Sequence, residues 1–376
     1  MSVVRIVLIV LALLFIVATA LPFVRSPHWW VRMFDFPRAQ IAVAALLTLA
    51  AFGVINVGVT EAAWWEWVIF GLLVLAVVYQ GIRMVPYTPL ASTQTIDADP
   101  AVANEDRRLR LVVSNVLMEN RDGDRWMNVV PSERPDVIAT VETDQWWADH
   151  LSALEDDYPH SIKLPQDDTY GMCVFSRLPI VKSEVRHLVE EEVPSLFLML
   201  ELPSGENVRL VILHPRPPRP DIQQDSHLRD AELVLAAREV ATFDGPTVVA
   251  GDLNDVAWSY TTSLFQKVSR LLDPRIGRGL YSTFHADHWW LRYPLDHVFH
   301  SDHLALVELR RLDSVGGDHF PMLVEFELDP SVQPFQEAPD VDAEDMEQGD
   351  EMIEDAQEFK AEESAEEKEE RVEEDV

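Results

Sequence analysis

Three long apolar runs without charged side chains lie near the start of the chain and constrain its folding more than any other feature. They extend over residues 6–24, 39–60 and 67–82, and each is near the ~20 residues that cross a bilayer core as a helix. Tryptophans cluster at the ends of these runs, as expected for rings at the level of the lipid headgroups. The sequence therefore predicts a multi-pass membrane protein with three transmembrane helices in residues 1–85.

Two questions about this region stay open. Arg5, the first apolar run and the small residues around Ala18 also suit a cleaved signal peptide, which would leave two spans. The loop after the first run carries Arg25, Arg32 and Arg38, so the positive-inside rule favours a cytoplasmic large domain. A signal-like start predicts the opposite side. The expected location is a membrane of the bacterial plasma or inner type, with the side of the large domain undecided.

Charge divides the rest of the chain. The 376 residues include 64 acidic and 30 basic ones, a net charge of −34. Residues 86–106 lack apolar periodicity and are predicted to form a linker. Residues 334–376 are dominated by Glu and Asp and are predicted to form a disordered acidic tail. Residues 107–330 remain as one large domain, and the shortage of basic residues there disfavours a nucleic acid partner.

The middle domain alternates short β-rich runs with helical ones. Because strands outnumber helices, the pattern favours an α/β fold with two sheets packed face to face and helices outside. The predicted strands cover residues 108–116, 136–142, 171–176, 196–202, 208–214, 247–253, 295–300 and 322–328. The predicted helices cover residues 125–132, 144–155, 223–243 and 258–269.

Polar side chains stand at the ends of several of these strands. Because strand ends on one edge of a sandwich converge, we expect them to form one cluster of carboxylates, amides and imidazoles. Such an oxygen-rich set suits Mg²⁺ or Mn²⁺ and a phosphate substrate rather than zinc. The eight residues are Asn115, Glu142, His214, Asp252, Asn254, Asp296, Asp318 and His319.

Seven motifs in order make the chain similar to the endonuclease/exonuclease/phosphatase superfamily. They are SNV at 114–116, PDVIATVE at 135–142, YGMCVFSRLPI at 170–180, LHP at 213–215, GDLN at 251–254, LDHVF at 295–299 and GDHFP at 317–321. The resemblance implies a four-layered α/β sandwich, a divalent metal and hydrolysis of a phosphate ester or anhydride bond. With three preceding spans, the chain most resembles the membrane-anchored branch, which includes the teicoplanin-resistance membrane proteins.

The resemblance also implies roles for the eight residues. Glu142, with Asn115 and Asp318, is expected at the metal. The other five are expected to be catalytic: Asp252 on the attacking water, Asn254 and His214 on the phosphate or leaving group, and His319 on the scissile phosphate with Asp296 behind it.

The sequence constrains the identity of the substrate less than it constrains the type of bond that is hydrolysed. Acidic charge and membrane tethering favour a lipid-linked or other small phosphorylated substrate, whereas a Mg²⁺-dependent nuclease is the alternative within enzymes. A non-catalytic membrane scaffold that recruits partners through the acidic tail is a further alternative. The sequence leaves the oligomeric state open.

Overall fold

A computed structural model describes residues 2–58, 62–218 and 225–374, with side chains left out at 56–58 and 364–374. The last residues of the second predicted span and the start of the predicted helix over 223–243 lie outside these ranges. The chain divides into two compact units: residues up to Ser92 with Gly277–Gly279, and Thr93–Ile276 with Leu280–Val376.

The first unit consists of helices. They are α1 (Val3–Ala20), α2 (Trp29–Arg32), α3 (Arg38–Gly58) and α4 (Trp64–Met84). Three segments, Val3–Phe23, Arg38–Ile55 and Trp64–Tyr87, are long and apolar enough to cross a membrane. The long helices pack around Ala12, Phe52 and Leu73, so each predicted span corresponds to one helix.

The second unit contains, within the described residues, eleven strands in two sheets. They are β1 (Arg108–Asn115), β2 (Val137–Val141), β3 (His160–Leu164), β4 (Met172–Ser176), β5 (Ile180–Arg186), β6 (Ser195–Glu201), β7 (Asn207–Ile212), β8 (Thr247–Asp252), β9 (Asp296–His300), β10 (Leu304–Arg311) and β11 (Met322–Leu328). One sheet has the order β10-β11-β1-β2-β4-β3 and the other β5-β6-β7-β8-β9. Both are mixed, because β1–β2 and β7–β8 pair in parallel among antiparallel neighbours.

Helices cover the outer face of each sheet and complete four layers. They are α5 (Gly123–Val129), α6 (Gln145–Leu151), α7 (His227–Ala241) and α8 (Tyr260–Ser269), while α9 (Ala343–Glu374) packs on α7 and α8. In β1, Leu111 and Val113 face the apolar core between the sheets, whereas Val112 faces a second core that includes Trp126 and Trp147. Successive strand residues point to opposite faces, so a strand covered on both sides is apolar throughout. The predicted α/β sandwich is confirmed.

The linker and tail are more ordered than their composition predicted. Residues 96–98 lie along β10, with hydrogen bonds of 2.8 Å that join Ile96 and Ala98 to Leu306. The tail forms α9, which packs through Ile353 and Phe359 against α7 and its surroundings. Composition predicted disorder because acidic residues dominate, but a few apolar residues at helical spacing suffice when a partner helix covers them.

The outer strand of the five-stranded sheet has a charged surface. In β5 the side chains of Lys182, Glu184 and Arg186 form ion pairs along the edge, with Lys182 Nζ 2.5 Å and Arg186 Nη2 2.6 Å from Glu184. Charged residues of this kind are typical of sheet edges that remain unpaired.

Candidate active site

The predicted cluster forms where strands from both sheets end. Asn115 ends β1, and its Nδ2 donates to Glu142 Oε1 at 2.8 Å and to Asp252 Oδ2 at 3.0 Å. Glu142 follows β2 and belongs to the same sheet as Asn115, whereas Asp252 ends β8 of the other sheet. The Asn115 amide therefore joins the two sheets at their common edge.

The GDLN turn places Asp252 and Asn254. A Cβ on Gly251 would lie 1.9 Å from Leu213 O, so only glycine permits β8 to approach β7 this closely. Asp252 Oδ1 then accepts the main-chain N–H of Asn254 at 2.9 Å. Asn254 has a left-handed φ of 52°, and its Nδ2 donates to Pro215 O at 3.0 Å. The turn holds Asp252 in place with its other oxygen toward Asn115.

His319 lies between two buried carboxylates. Its Nδ1 is 2.7 Å from Asp296 Oδ2 and its Nε2 is 3.6 Å from Asp252 Oδ2. Burial by itself lowers the pKa of His319, but Asp296 and then Asp252 outweigh this effect and raise the pKa to about 10. Burial also raises the pKa of Asp252, against the opposing effect of His319. We call Asp252, Asp296 and His319 the paired region of the site; its histidine is a cation at neutral pH.

His214 is in the opposite situation. It is 1% exposed, and neither ring nitrogen has a hydrogen-bond partner in the described structure. Its Nε2 lies 4.0 Å from Glu142 Oε1. Burial first, and then the nearby His319, lower the pKa of His214 to about 3, so its ring is neutral. Burial likewise raises the pKa of Glu142, although the hydrogen bond from Asn115 opposes it. We call Glu142 and His214 the open region.

Asp318 lies beside the cluster with fewer contacts. Its Oδ1 is buried without a hydrogen-bond partner in the described structure, and its main-chain oxygen accepts from Ala286 N at 2.7 Å. Its charge acts on both Glu142 and His319. Of the eight predicted residues, Asn115, Glu142, His214, Asp252, Asp296 and His319 are in close contact, whereas Asn254 and Asp318 stand at the border.

The donor set fits a divalent cation. Ligand atoms of Glu142, His214 and Asp252 lie within 4.8 Å of one another, and so do those of Asp252, Asp296 and His319. Both His214 nitrogens and the carboxylate atoms Asp296 Oδ1 and Asp318 Oδ1 are buried without protein partners. Buried polar atoms are normally hydrogen-bonded, so this group of atoms fits the contacts that a bound cation or phosphate would make. Oxygen predominates in the set, as hard cations prefer.

Three supporting residues were missed by sequence reasoning. Thr283 Oγ1 accepts the main-chain N–H of Asp296 at 3.1 Å, and the Phe284 ring lies 5.0 Å from that of His319. Arg229, which is 1% exposed, donates to Asn254 O at 2.8 Å. A polar or aromatic residue outside any recognisable motif gave no signal in a single sequence, because its role depends on the packing of distant segments.

A two-sheet α/β sandwich with acidic and histidine side chains at one edge defines the class of protein. The sequence model of the endonuclease/exonuclease/phosphatase family matches residues 112–319. The chain therefore belongs to this family, whose members include metal-dependent phosphoesterases and nucleases. A comparison with curated proteins found no match.

Several solved structures match part of the chain. An endonuclease/exonuclease/phosphatase from Beutenbergia cavernae is 20% identical, with a TM-score of 0.46 over 59% of this chain and 72% of that chain. The human Nocturnin catalytic domain with bound sulfate is 16% identical, with a TM-score of 0.49 over 59% and 94% of the two chains. Sphingomyelinase C from Streptomyces griseocarneus is 17% identical, with a TM-score of 0.43 over 58% and 99%.

Proposed function

We propose that the protein is a membrane-anchored, Mg²⁺- or Mn²⁺-dependent hydrolase of a phosphate ester or pyrophosphate bond. One observation carries the proposal: ligand atoms of Asp252 lie within 4.8 Å of Asp296 and the cationic His319 on one side, and of Glu142 and His214, whose ring nitrogens lack partners in the described structure, on the other. A phosphate group with a cation would satisfy both regions at once. The three apolar helices support the membrane anchor.

The metal would be held by Glu142, with Asn115 and Asp318 around it. When bound, it supplies positive charge that neutralises the phosphate oxygens and favours attack by water. Asn115 orients Glu142 through the 2.8 Å hydrogen bond. Its Oδ1 accepts from Leu117 N at 2.9 Å, so we assign Asn115 a positioning role at this carboxylate.

Asp252 orients the attacking water and accepts its proton. Its raised pKa improves its basicity relative to an ordinary aspartate, as general base catalysis near neutral pH requires. His319 contacts the scissile phosphate as a cation, and Asp296 accepts from its Nδ1 and fixes its ring plane through the 2.7 Å contact. Charge that develops on the phosphate is thus stabilised by a group already in place.

His214 and Asn254 complete the contacts to the phosphate. Because the pKa of His214 is about 3, its neutral ring donates a hydrogen bond to a phosphate or leaving-group oxygen instead of providing a second cation. The Asn254 amide has two hydrogens. One is directed to Pro215 O, and the other remains for a non-bridging phosphate oxygen.

We infer a lipid-linked or other small phosphorylated substrate. Acidic residues exceed basic ones by 34 in the chain, which opposes binding of a polyanionic duplex. Anchoring would also hold the site close to lipid headgroups. Membership of the membrane-anchored branch of the family belongs to the same proposal.

The test is product release by the purified full-length chain with Mg²⁺ or Mn²⁺. The panel comprises a polyprenyl pyrophosphate, phospholipids, a bis-aryl phosphodiester and plasmid DNA. The inactive control is Asp252→Asn, expected to lose at least ~10²-fold in rate as a general base would. The matched control is Asp244→Asn, which removes the same charge at the exposed loop before β8. DNA nicking would replace the proposal with a nuclease, and silence without metal binding would support the scaffold.

A further inference from the structure

The loop between Phe284 and Tyr293 exposes two adjacent tryptophans. Trp289 is 77% exposed and Trp290 is 55% exposed. The loop starts and ends at the site, because the main chain of Phe284 pairs with both Tyr293 and His319. Large apolar side chains exposed together usually mark a surface that contacts another molecule.

One arginine of this loop, Arg292, and one beside it, Arg311, have no carboxylate partner within the described residues. The guanidinium carbons of Arg292 and Arg311 lie 5.1 Å and 4.1 Å from the centre of the Phe320 ring. Their hydrogen bonds are directed to main-chain oxygens, of Ala286 at 3.4 Å and of Ser282 at 2.8 Å. Within the described structure neither forms an ion pair, and Arg292 Nε is buried without a partner.

The close placement of Arg292 and Arg311 is unfavourable in the free protein. Burial first and then the charge of Arg292 lower the pKa of Arg311, and Asp313 only partly opposes them. The adjacent Arg310 differs, because its guanidinium group contacts Glu133 and Glu308 at 2.5 Å and 2.9 Å. Two like charges left together in a domain rich in acids indicate that an external anion is their partner.

We propose that Trp289, Trp290, Arg292 and Arg311 form a docking surface for the phosphate headgroups of an anionic lipid bilayer. We call these four residues the tryptophan–arginine surface. Indole rings favour the bilayer interface, and arginine pairs with lipid phosphate as a bidentate donor. Docking would bring the rim of the site to the headgroup layer. The inference rests on the proposed membrane-anchored function.

Single-stranded nucleic acid is the competing occupant, because bases stack on exposed aromatic rings beside basic residues. One observation favours lipid: the same chain has three helices apolar enough to cross a membrane. A local pair of arginines is enough to contact headgroups, whereas a nucleic acid site needs a continuous basic track.

The test measures lipid contact of a fluorescent label in the full-length chain, reconstituted in nanodiscs. His288→Cys places the label directly before Trp289 and retains both tryptophans. Val181→Cys, on the exposed edge strand β5, is the reference position with 50% exposure. The native Cys173 is buried. Quenching by brominated lipids is compared in anionic and in purely phosphatidylcholine discs.

The label at 288 is expected to be quenched more than that at 181, and more in anionic discs. Arg292→Gln with Arg311→Gln should lower the docked-to-undocked ratio about 25-fold, since each cation near an anionic surface contributes about a fivefold preference. Arg310→Gln, which removes one charge from the neighbouring position, should leave the ratio unchanged. Trp289→Ala with Trp290→Ala should abolish docking and, because both side chains are exposed, preserve the fold.

Equal quenching at the two positions would overturn the proposal, and so would quenching that ignores the arginine substitutions. Protection of the label by single-stranded DNA in place of lipid would assign the surface to nucleic acid. The inactive Asp252→Asn chain should still dock. Failure of docking in an active enzyme is thereby distinguished from failure of the hydrolase proposal.

Discussion

The two regions of the site use a buried histidine in opposite ways. In the paired region His319 contacts carboxylates through both nitrogens, at 2.7 Å from Asp296 and 3.6 Å from Asp252. In the open region both nitrogens of His214 lack partners in the described structure. Burial penalises the charged form of either ring. The difference therefore arises from the neighbours: Asp296 and Asp252 keep the His319 ring cationic, whereas burial and the nearby His319 keep the His214 ring neutral.

The contrast between the two histidines separates side chains that stabilise the fold from side chains that bind a ligand. In the paired region both nitrogens of His319 contact carboxylates in the free protein, and these contacts should contribute to folding. The open region has buried atoms that only a ligand can satisfy, so it should weaken folding and favour binding. Substitutions of His319 and His214 are therefore expected to shift the free energy of unfolding in opposite directions, while both lower activity.

The largest effect is expected for His319→Gln. Loss of the cation removes a contact to the phosphate, and hydrolysis should fall about 10³-fold. Asp252 and Asp296 would remain as buried carboxylates without a cation, so the free energy of unfolding should fall by about 3 kcal/mol. Chemical denaturation and a steady-state assay measure the two quantities. An unchanged free energy of unfolding would contradict the proposed stabilising role of the paired region.

His214→Leu should lower the rate about 10²-fold, as for the loss of one preorganised donor. Leucine removes two unsatisfied nitrogens from a buried position, so the free energy of unfolding without ligand should rise by about 1 kcal/mol. Denaturation midpoints of the two chains, compared in metal-free buffer, test the sign. A destabilised variant would mean that His214 is structurally satisfied.

Glu142→Gln tests whether the open region binds the metal. Glutamine keeps an oxygen that accepts from Asn115, so the unfolding free energy should change by less than about 1 kcal/mol. Loss of the negative charge should weaken Mn²⁺ binding about tenfold or more, and excess metal should partly restore activity. Mn²⁺ titration of both chains, followed calorimetrically, measures this change; equal affinities would exclude Glu142 as a ligand.

The smallest effect on activity is expected for Glu232→Gln, outside both regions. Glu232 is buried and accepts from Ser195 Oγ at 3.0 Å, and burial raises its pKa to about 8 from a usual 4.5. Between these two values the folded chain binds the proton and the unfolded chain does not, so stability falls as pH rises from 4.5 to 8.

Glutamine cannot titrate, so this part of the pH dependence should disappear. At pH 8 the variant should be more stable than the native chain by on the order of 2 kcal/mol, with the difference vanishing below pH 4.5. Thermal unfolding across this pH range is the measurement. Parallel curves for the two chains would show that Glu232 is charged when folded.

Much of the sandwich was predictable because its central strands are continuous apolar runs. β11 was predicted at its observed limits, and β8 within one residue. The missed strands β3, β5 and β10 lie at sheet edges and carry charged or half-exposed residues, so no period of two is visible. The order in α9 was also missed, because it depends on contacts with α7.

Strand ends and ordered motifs identify the candidate residues in the sequence. They do not indicate whether each side chain is charged or neutral. Nothing in the residues around His214 and His319 predicts that one pKa falls and the other rises. The outcome depends on distances between separate strands, such as that from Asp296 to His319. Of the tryptophan–arginine surface, the sequence shows only the adjacent pair Trp289 and Trp290. That Arg292 and Arg311 form no ion pair in the described structure can be seen only from the three-dimensional arrangement.

The charged edge of β5 has a consequence for crowding in two dimensions. A chain anchored as we propose would diffuse in a plane, where copies meet far more often than in solution. An open sheet edge would then invite strand-to-strand pairing between copies. Ion pairs among Lys182, Glu184 and Arg186 oppose that pairing at the β5 edge, so under the proposed anchoring copies could lie side by side without joining through this edge.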